Sequence, residues 1–450
     1  MKLHKAFGIV RGDVVALVGA GGKTSTLIAL GHELVDEGWR VLATSTVGTT
    51  AEQLALMPHA LSCKIGAEGL THALEAHRFV FACGGRINDF FVGTTEDWFG
   101  WALDSVDADV LLVEADTANG LPLKAPRSYE PLIPPETSLV VPIASLAALG
   151  QPLDEEHVYN AEALTEHFGF YPGNPVMAPW IAQTLRDEEL GLRDVPERAR
   201  VVGLLNSVPS TGYLRLRAHL IARMILRSER ISGVALGSVR SADPISEVQR
   251  PIGAIVLAAG MSSRMASMGT PKVLLPWAGG KTILEHIIDQ LILARVQYIT
   301  VVTGNRSDDV GALAEKRGAN VVFNPDYKTG EMLSSLKAGL RAQPAHVAAA
   351  LVVLGDQPRI QPKIVGQVMM AYAEGKGDLV APSYQMRRGH PILIDRRYWA
   401  DLLALPDDGN PRQVINAHPM AYVNVDNDSV LRDVDTPDDY RDERSRAGLK

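Results

Sequence analysis

Binding a phosphate requires N–H donors and cations converging on one point, and one stretch of this chain offers both. It is Val256-Leu-Ala-Ala-Gly260-Met-Ser-Ser-Arg264-Met265, with Pro271-Lys272 close behind. Leu257, Ala258, Ala259 and Gly260 end an apolar run, and their small side chains let a backbone loop close around a ligand. Arg264 suits bidentate phosphate contact, and Lys272 adds a compact mobile cation. The plain alternative is an ordinary strand-to-helix turn carrying surface cations.

A second candidate lies near the start, at Gly19-Ala-Gly21-Gly22-Lys23-Thr24-Ser25-Thr26. An apolar run over 14–18 precedes it and apolar residues at helical spacing over 27–34 follow, which is the layout of a P-loop. In that reading Gly19, Gly21, Gly22 and Ser25 line the phosphates, Lys23 neutralises them and Thr24 holds magnesium. The strict pattern asks for glycine where Leu17 stands, so only the shorter form is present.

Carboxylates at the ends of apolar runs supply the metal side. Glu114 and Asp116 follow the run 108–113 and suit a magnesium relay beside the glycine loop, or else cap the next turn. Asp356 follows the run 348–354 and, facing Arg264 and Lys272, suits magnesium on a triphosphate, or again caps a turn. Asp433 and Asp435 flank Val434 on an expected strand, so only one faces the site. Thr44-Ser45-Thr46, Asn206, and Ser334 with Ser335 each admit a ligand role or a turn-and-cap role.

These residues need a scaffold, and the chain alternates apolar runs with helical spacing throughout. Strands are expected at 14–18, 40–43, 108–113, 201–205, 252–257, 298–303, 321–323 and 348–354. Helices are expected over 282–294 and opening between 330 and 335. The fold class is therefore α/β, with a P-loop-like N-terminal domain (1–236), a linker (237–250) and a C-terminal domain (251–450). With 450 residues, two or three cores are expected. A net charge of −8 argues against nucleic-acid partners. Cys63 and Cys83 are too few for a disulfide scaffold or structural zinc. No apolar run approaches eighteen residues and no signal-peptide core stands at the N-terminus, so a cytoplasmic protein without membrane contact is expected.

LAAGMSSRM followed by PK resembles the signature of the MobA-like nucleotidyltransferases, closest to the molybdenum cofactor cytidylyltransferases. Asn324-Pro325 through Gly330 to Ser335, Leu354-Gly-Asp356-Gln-Pro358, Arg388-Gly-His390-Pro391 and Asp433-Val-Asp435-Thr-Pro437 agree in the family's order. The family places glycine directly after Arg-Met, whereas Ala266-Ser267-Met268 intervene here. The resemblance implies a Rossmann-like (GT-A type) C-terminal domain using Mg2+ and CTP, with Mo-loaded molybdopterin as acceptor. It selects Asp435 as the second magnesium ligand beside Asp356, Ser335 as a nucleotide contact and His390 as an acceptor contact. Leu-Ala-Ala-Gly favours cytosine, since guanylyl relatives tend to show Leu-Ala-Gly-Gly. Arg412 departs from the common Asp-x-Gly-x-Arg spacing.

The glycine-rich N-terminal loop resembles that of Mur-ligase-type ATP enzymes. VEADTANGLPLKAP, Tyr129-Glu-Pro-Leu-Ile-Pro134 and Gly150-Gln-Pro-Leu resemble the YqeC family of selenium-dependent hydroxylase accessory proteins. That likeness implies ATP or GTP at the N-terminal loop and a molybdenum hydroxylase as client. Two other readings stay open: a transferase using GTP or a sugar-1-phosphate, and a cofactor carrier or insertion chaperone without turnover.

Overall fold

The computed structural model describes residues 1–88, 90–328 and 332–449. The described residues form two compact units, Met1–Gln249 and Arg250–Lys450.

In the first unit the apolar runs become a nine-stranded sheet. Its order is Ile245–Gln249, Gly233–Gly237, Arg200–Asn206, Leu139–Ser145, Val14–Gly19, Val110–Glu114, Val41–Ser45, Phe79–Cys83, Ala60–Ser62. All neighbours are parallel except the pair formed by Gly233–Gly237 and Ile245–Gln249. Val14–Gly19 is buried on both sides, which is why its sequence is apolar without alternation. From it the chain passes first to strands on one side and later to Leu139–Ser145 on the other. That switch leaves a crevice at its carboxyl end, where the glycine loop begins.

The segment read as a linker is structured in part. Ile245–Gln249 is an edge strand, its Ile245 and Val248 buried in the core, and the break between units falls after Gln249. Its polar residues hide a buried ionic knot. Glu247, 0% exposed, accepts from His219 Nε2 at 2.6 Å and Gln249 Nε2 at 2.7 Å and pairs with Arg215 at 3.0 Å. Burial pushes the Glu247 carboxyl up, but the His219 hydrogen bond and charge, with Arg215, outweigh it and hold the group below the ordinary glutamate value. A depressed carboxyl contributes stability above its unfolded pKa of about 4.3 and loses it as pH falls through the lower folded value. Glu247→Ala is expected to cost about 3 kcal/mol at neutral pH, because Arg215 loses its anion and His219 its hydrogen-bond partner. Thermal melts from pH 3 to 7 check this: the wild-type advantage should shrink only in the acid range.

The second unit holds an eight-stranded sheet. Its order is Asn320–Phe323, Tyr298–Thr303, Ile252–Leu257, Ala349–Leu354, Ile392–Asp395, Leu379–Tyr384, Arg387–Arg388, with Ala421–Asn424 also on Leu379–Tyr384. The first four strands are parallel and Ile392–Asp395 runs against both its neighbours. Register sets Leu257 opposite Leu354, so Ala258–Gly260 and Gly355–Asp356 emerge side by side. The helix Ile283–Leu293 is started by a capping box in which Thr282 and Glu285 exchange hydrogen bonds.

Candidate active site

In the second unit the two parallel strands deliver a loop and a carboxylate to the same edge. Ala258 and Ala259 are 3% and 4% exposed, and the Ala258 N–H donates to Val302 O. A Cβ on Gly260 would meet nothing within 4 Å, so the fold itself does not require glycine there. The space over that residue is open. Ala266-Ser267-Met268 fall within a 3-10 turn, Ser263–Met268, anchored by buried Met265. Beyond it the Lys272 N–H bonds Ser262 Oγ at 3.2 Å, so the longer loop still returns Lys272 to the strand ends.

Lys272 stands at the centre. Its Nζ lies 2.5 Å from Asp356 Oδ2 and 3.2 Å from Asp435 Oδ1, and Arg264 NH1 donates to Asp435 Oδ2 at 2.8 Å. Burial lowers the Lys272 pKa, but the two aspartates outweigh it and hold the ammonium above the ordinary lysine value. Arg264, Lys272, Asp356 and Asp435 are thus one cluster.

The strand expected around Val434 is absent. Residues 432–435 are irregular, and the Val434 N–H bonds Asp356 O at 2.9 Å. Without a strand's alternation Asp433 is not sent to the far face. Its Oδ1 accepts from Gln357 Nε2 at 2.7 Å, and burial, together with Asp356 and Asp435, pushes its carboxyl up. Sequence reading passed over Gln357, although it follows Asp356 directly.

Asp356 Oδ1 is buried and has no hydrogen-bond partner among the described residues. An acceptor left open beside a second carboxylate fits Mg2+, which takes one or two carboxylates and completes its shell with water and phosphate. Among the described residues no group of three or more His, Cys, Asp or Glu forms a metal cage.

The remaining expected contacts are more peripheral. Ser335, 8% exposed, accepts from Asn324 Nδ2 at 3.0 Å and keeps its own proton to donate. Gly330 lies outside the described residues. His390 Nδ1 is 3.4 Å from Val352 O, and burial lowers its pKa, so the ring is neutral near pH 7. The Arg412 N–H bonds Asn410 Oδ1 at 2.9 Å, a local turn.

The first unit builds the other site on glycine geometry. Gly19, Gly21 and Gly22 have φ of +89°, +81° and +135°, and a Cβ on each would collide with Ile143 O, Ser145 or Asn206. Only glycine lets this loop lie so close to its neighbours. Gly21, Gly22, Lys23, Thr24 and Ser25 line a cavity of about 630 Å³ with Glu114 and Arg240. Thr24 Oγ1 donates to Glu114 at 3.0 Å, pairing a hydroxyl with a carboxylate as a magnesium site requires. Burial pushes the Glu114 carboxyl up, Lys23 and Thr24 oppose, and Asp116 adds to the rise.

Asp116 is placed differently from its expected role as a metal ligand. It is 2% exposed and lies between Lys23 at 3.0 Å and Lys124 at 3.1 Å, and it accepts from the Gly19 N–H at 2.9 Å. Both oxygens face cations or N–H, so it stabilises the loop from behind and Glu114 is left as the carboxylate on the cavity. Lys124 continues the chain of charges to Glu130 at 3.0 Å. Its signal was a cation inside the apolar run Leu-Pro-Leu-Lys-Ala-Pro, since a buried charge must find a partner.

Asn206, taken more readily for a turn residue, donates to Gly21 O at 2.8 Å and lines the cavity. Thr44, Ser45 and Thr46 instead place their hydroxyls on the carbonyls of Ala82, Val47 and Glu114, a structural role.

Residues 254–422 match the family model of the MobA-like NTP transferase domain, and residues 15–162 match that of the YqeC protein. The molybdenum cofactor cytidylyltransferase of Escherichia coli (strain K12) is 32% identical over 191 residues, 42% of this chain and 93% of that relative. The chain belongs to the MobA-like NTP transferase family. Its MobA-like unit is a nucleotidyltransferase, joined to a YqeC domain. The YqeC protein of the same E. coli strain is 28% identical over 206 residues, 44% of this chain and 76% of that protein. Rv0371c from Mycobacterium tuberculosis H37Rv is a solved structure 28% identical in sequence. It covers 43% of this chain and 98% of its own, with a TM-score of 0.39. No helix among the described residues is long and apolar enough to cross a membrane.

Proposed function

We propose that the MobA-like unit transfers CMP from CTP to Mo-loaded molybdopterin, giving molybdopterin cytosine dinucleotide and pyrophosphate. The carrying observation is Lys272 between Asp356 and Asp435, at the ends of parallel strands beside the Ala258–Gly260 loop. A cation and two carboxylates beside open backbone is the equipment of phosphoryl chemistry, where positioning and charge stabilisation suffice. Molybdopterin and cytosine rest on the name of the E. coli relative and on Leu-Ala-Ala-Gly at 257–260.

Asp356 and Asp435 would hold Mg2+, which when bound neutralises triphosphate charge. The acceptor's terminal phosphate forms a bond to the α-phosphorus of CTP while the α–β bridging P–O bond breaks, and that oxygen leaves on pyrophosphate. Lys272 and Arg264 meet the charge gathering on the leaving group. No general base is needed, because a phosphate monoester is already anionic near neutral pH. His390, neutral and packed beside Val352, orients the acceptor and transfers no proton.

In the YqeC domain ATP or GTP would occupy the glycine-loop cavity, where Lys23 would meet phosphate and Thr24 and Glu114 would hold a Mg2+ that neutralises phosphate charge. This unit serves maturation of a molybdenum hydroxylase client in the cytoplasm. A nucleotide panel tests the transferase reading. With Mg2+ and Mo-loaded molybdopterin, pyrophosphate release is expected with CTP and at least tenfold less with GTP or ATP. Preference for GTP would overturn the cytosine assignment.

A further inference from the structure

The YqeC domain contains a second cavity that the nucleotide does not explain. Its volume is about 1160 Å³, and Thr117 and Asn119 stand in its wall and in that of the glycine-loop cavity. The two spaces are therefore neighbours within one unit. Their chemistry is opposite. No Lys or Arg is among the described residues of the larger cavity, whereas Lys23 and Arg240 line the smaller.

The larger cavity offers flat apolar surface with acid groups at points. Phe90 and Tyr129 are in its lining and are 54% and 61% exposed. Leu132 and the Pro134–Pro135 pair extend the same wall. Into this wall is set Glu130, whose side chain is 1% exposed. Its Oε2 accepts from Lys124 Nζ at 3.0 Å and from the Arg127 N–H at 3.2 Å, yet its Oε1 has no hydrogen-bond partner among the described residues. A buried carboxylate oxygen without a donor is costly unless something fills the place.

We propose that this cavity binds a planar nitrogen heterocycle, its faces against the aromatic wall and an N–H donated to Glu130 Oε1, beside the nucleotide on the glycine loop. Pocket size and composition agree: ligand pockets run to about 1,000 Å³ and combine apolar walls with a few placed polar groups. Glu96 and Asp194, also in the lining, add to the preference for N–H-rich over anionic ligands. Thr117 and Asn119 put the heterocycle and the nucleotide on either side of one short segment.

The test is calorimetric titration of the full chain with pterin and with 2-aminobenzimidazole, both flat and bearing N–H donors. Quinoxaline, flat but without N–H, is the control. The two donors are expected to saturate one site and to bind at least tenfold more tightly than quinoxaline. Glu130→Gln should weaken them about tenfold, the loss of one hydrogen bond to a charged group. Because Glu130 also holds Lys124, that variant could misfold, so Phe90→Ala with Tyr129→Ala is measured in parallel. Both side chains are exposed, and the pair should weaken the donors severalfold with ATP affinity unchanged. Absence of saturable binding to the wild-type chain would overturn the proposal. So would equal binding of quinoxaline, or binding indifferent to the wall substitutions.

Discussion

Asp356→Asn is expected to cut pyrophosphate release by about 10³-fold while leaving the chain folded. The side chain sits at the end of a strand whose ladder partners are backbone, so the sheet does not depend on its charge. Its two oxygens do different things: Oδ2 takes Lys272 at 2.5 Å and Oδ1 is buried without a hydrogen-bond partner among the described residues. Asparagine keeps the shape and one carbonyl oxygen, but it replaces an acceptor by an N–H donor and removes a negative charge. Lys272 would retain Asp435 at 3.2 Å and so would still be anchored. The loss should appear mainly in kcat, because the charge is needed where pyrophosphate departs, and raising Mg2+ should recover little. Steady-state pyrophosphate assays with circular dichroism as the folding control check this. Activity within tenfold of wild type would remove Asp356 from the metal role.

Lys23→Met is expected to weaken ATP or GTP binding in the YqeC domain by about 100-fold, the equivalent of roughly 3 kcal/mol for a lost buried charge contact. Lys23 is 5% exposed and its Nζ donates to Gly19 O at 2.6 Å, so it sits folded back on the loop it would serve. Removing it takes the cation from Asp116 Oδ1 but leaves Oδ2 fully partnered. Asp116 keeps Lys124 at 3.1 Å and the Gly19 N–H at 2.9 Å. The loop geometry should therefore survive, held by glycine conformations and by Asn206 on Gly21 O. Equilibrium binding of a fluorescent ATP analogue gives the affinity, and pyrophosphate release by the MobA-like unit should be unchanged in the same preparation. Unaltered nucleotide affinity would refute phosphate binding at the glycine loop.

Much of this arrangement was legible because strand ends are local signals. The runs 14–18, 110–113, 252–257 and 348–354 are apolar without alternation, as strands covered on both faces must be, and each ends in the small or acidic residues that reach the crevice. What the residues cannot show locally is which distant group a charge meets. Asp116 and Glu114 are two residues apart and look equivalent, yet one is enclosed by Lys124 and the other faces Thr24. Asp433 and Asp435 had a strand's alternation imposed on them, but the Val434 N–H is used by Asp356 O and both carboxylates remain near Lys272. The polar segment before residue 250 read as a linker because the ion partners of Glu247 lie on a helix about thirty residues upstream.

The central claim is cytidylyl transfer at the Lys272 cluster, and product identity tests it most directly. The full chain is incubated with Mg2+, CTP and Mo-loaded molybdopterin, and the products are separated and weighed by mass spectrometry. One molybdopterin cytosine dinucleotide should form per pyrophosphate released. Bound acceptor with neither product nor pyrophosphate would contradict the transferase account and favour a carrier that holds the cofactor without turnover.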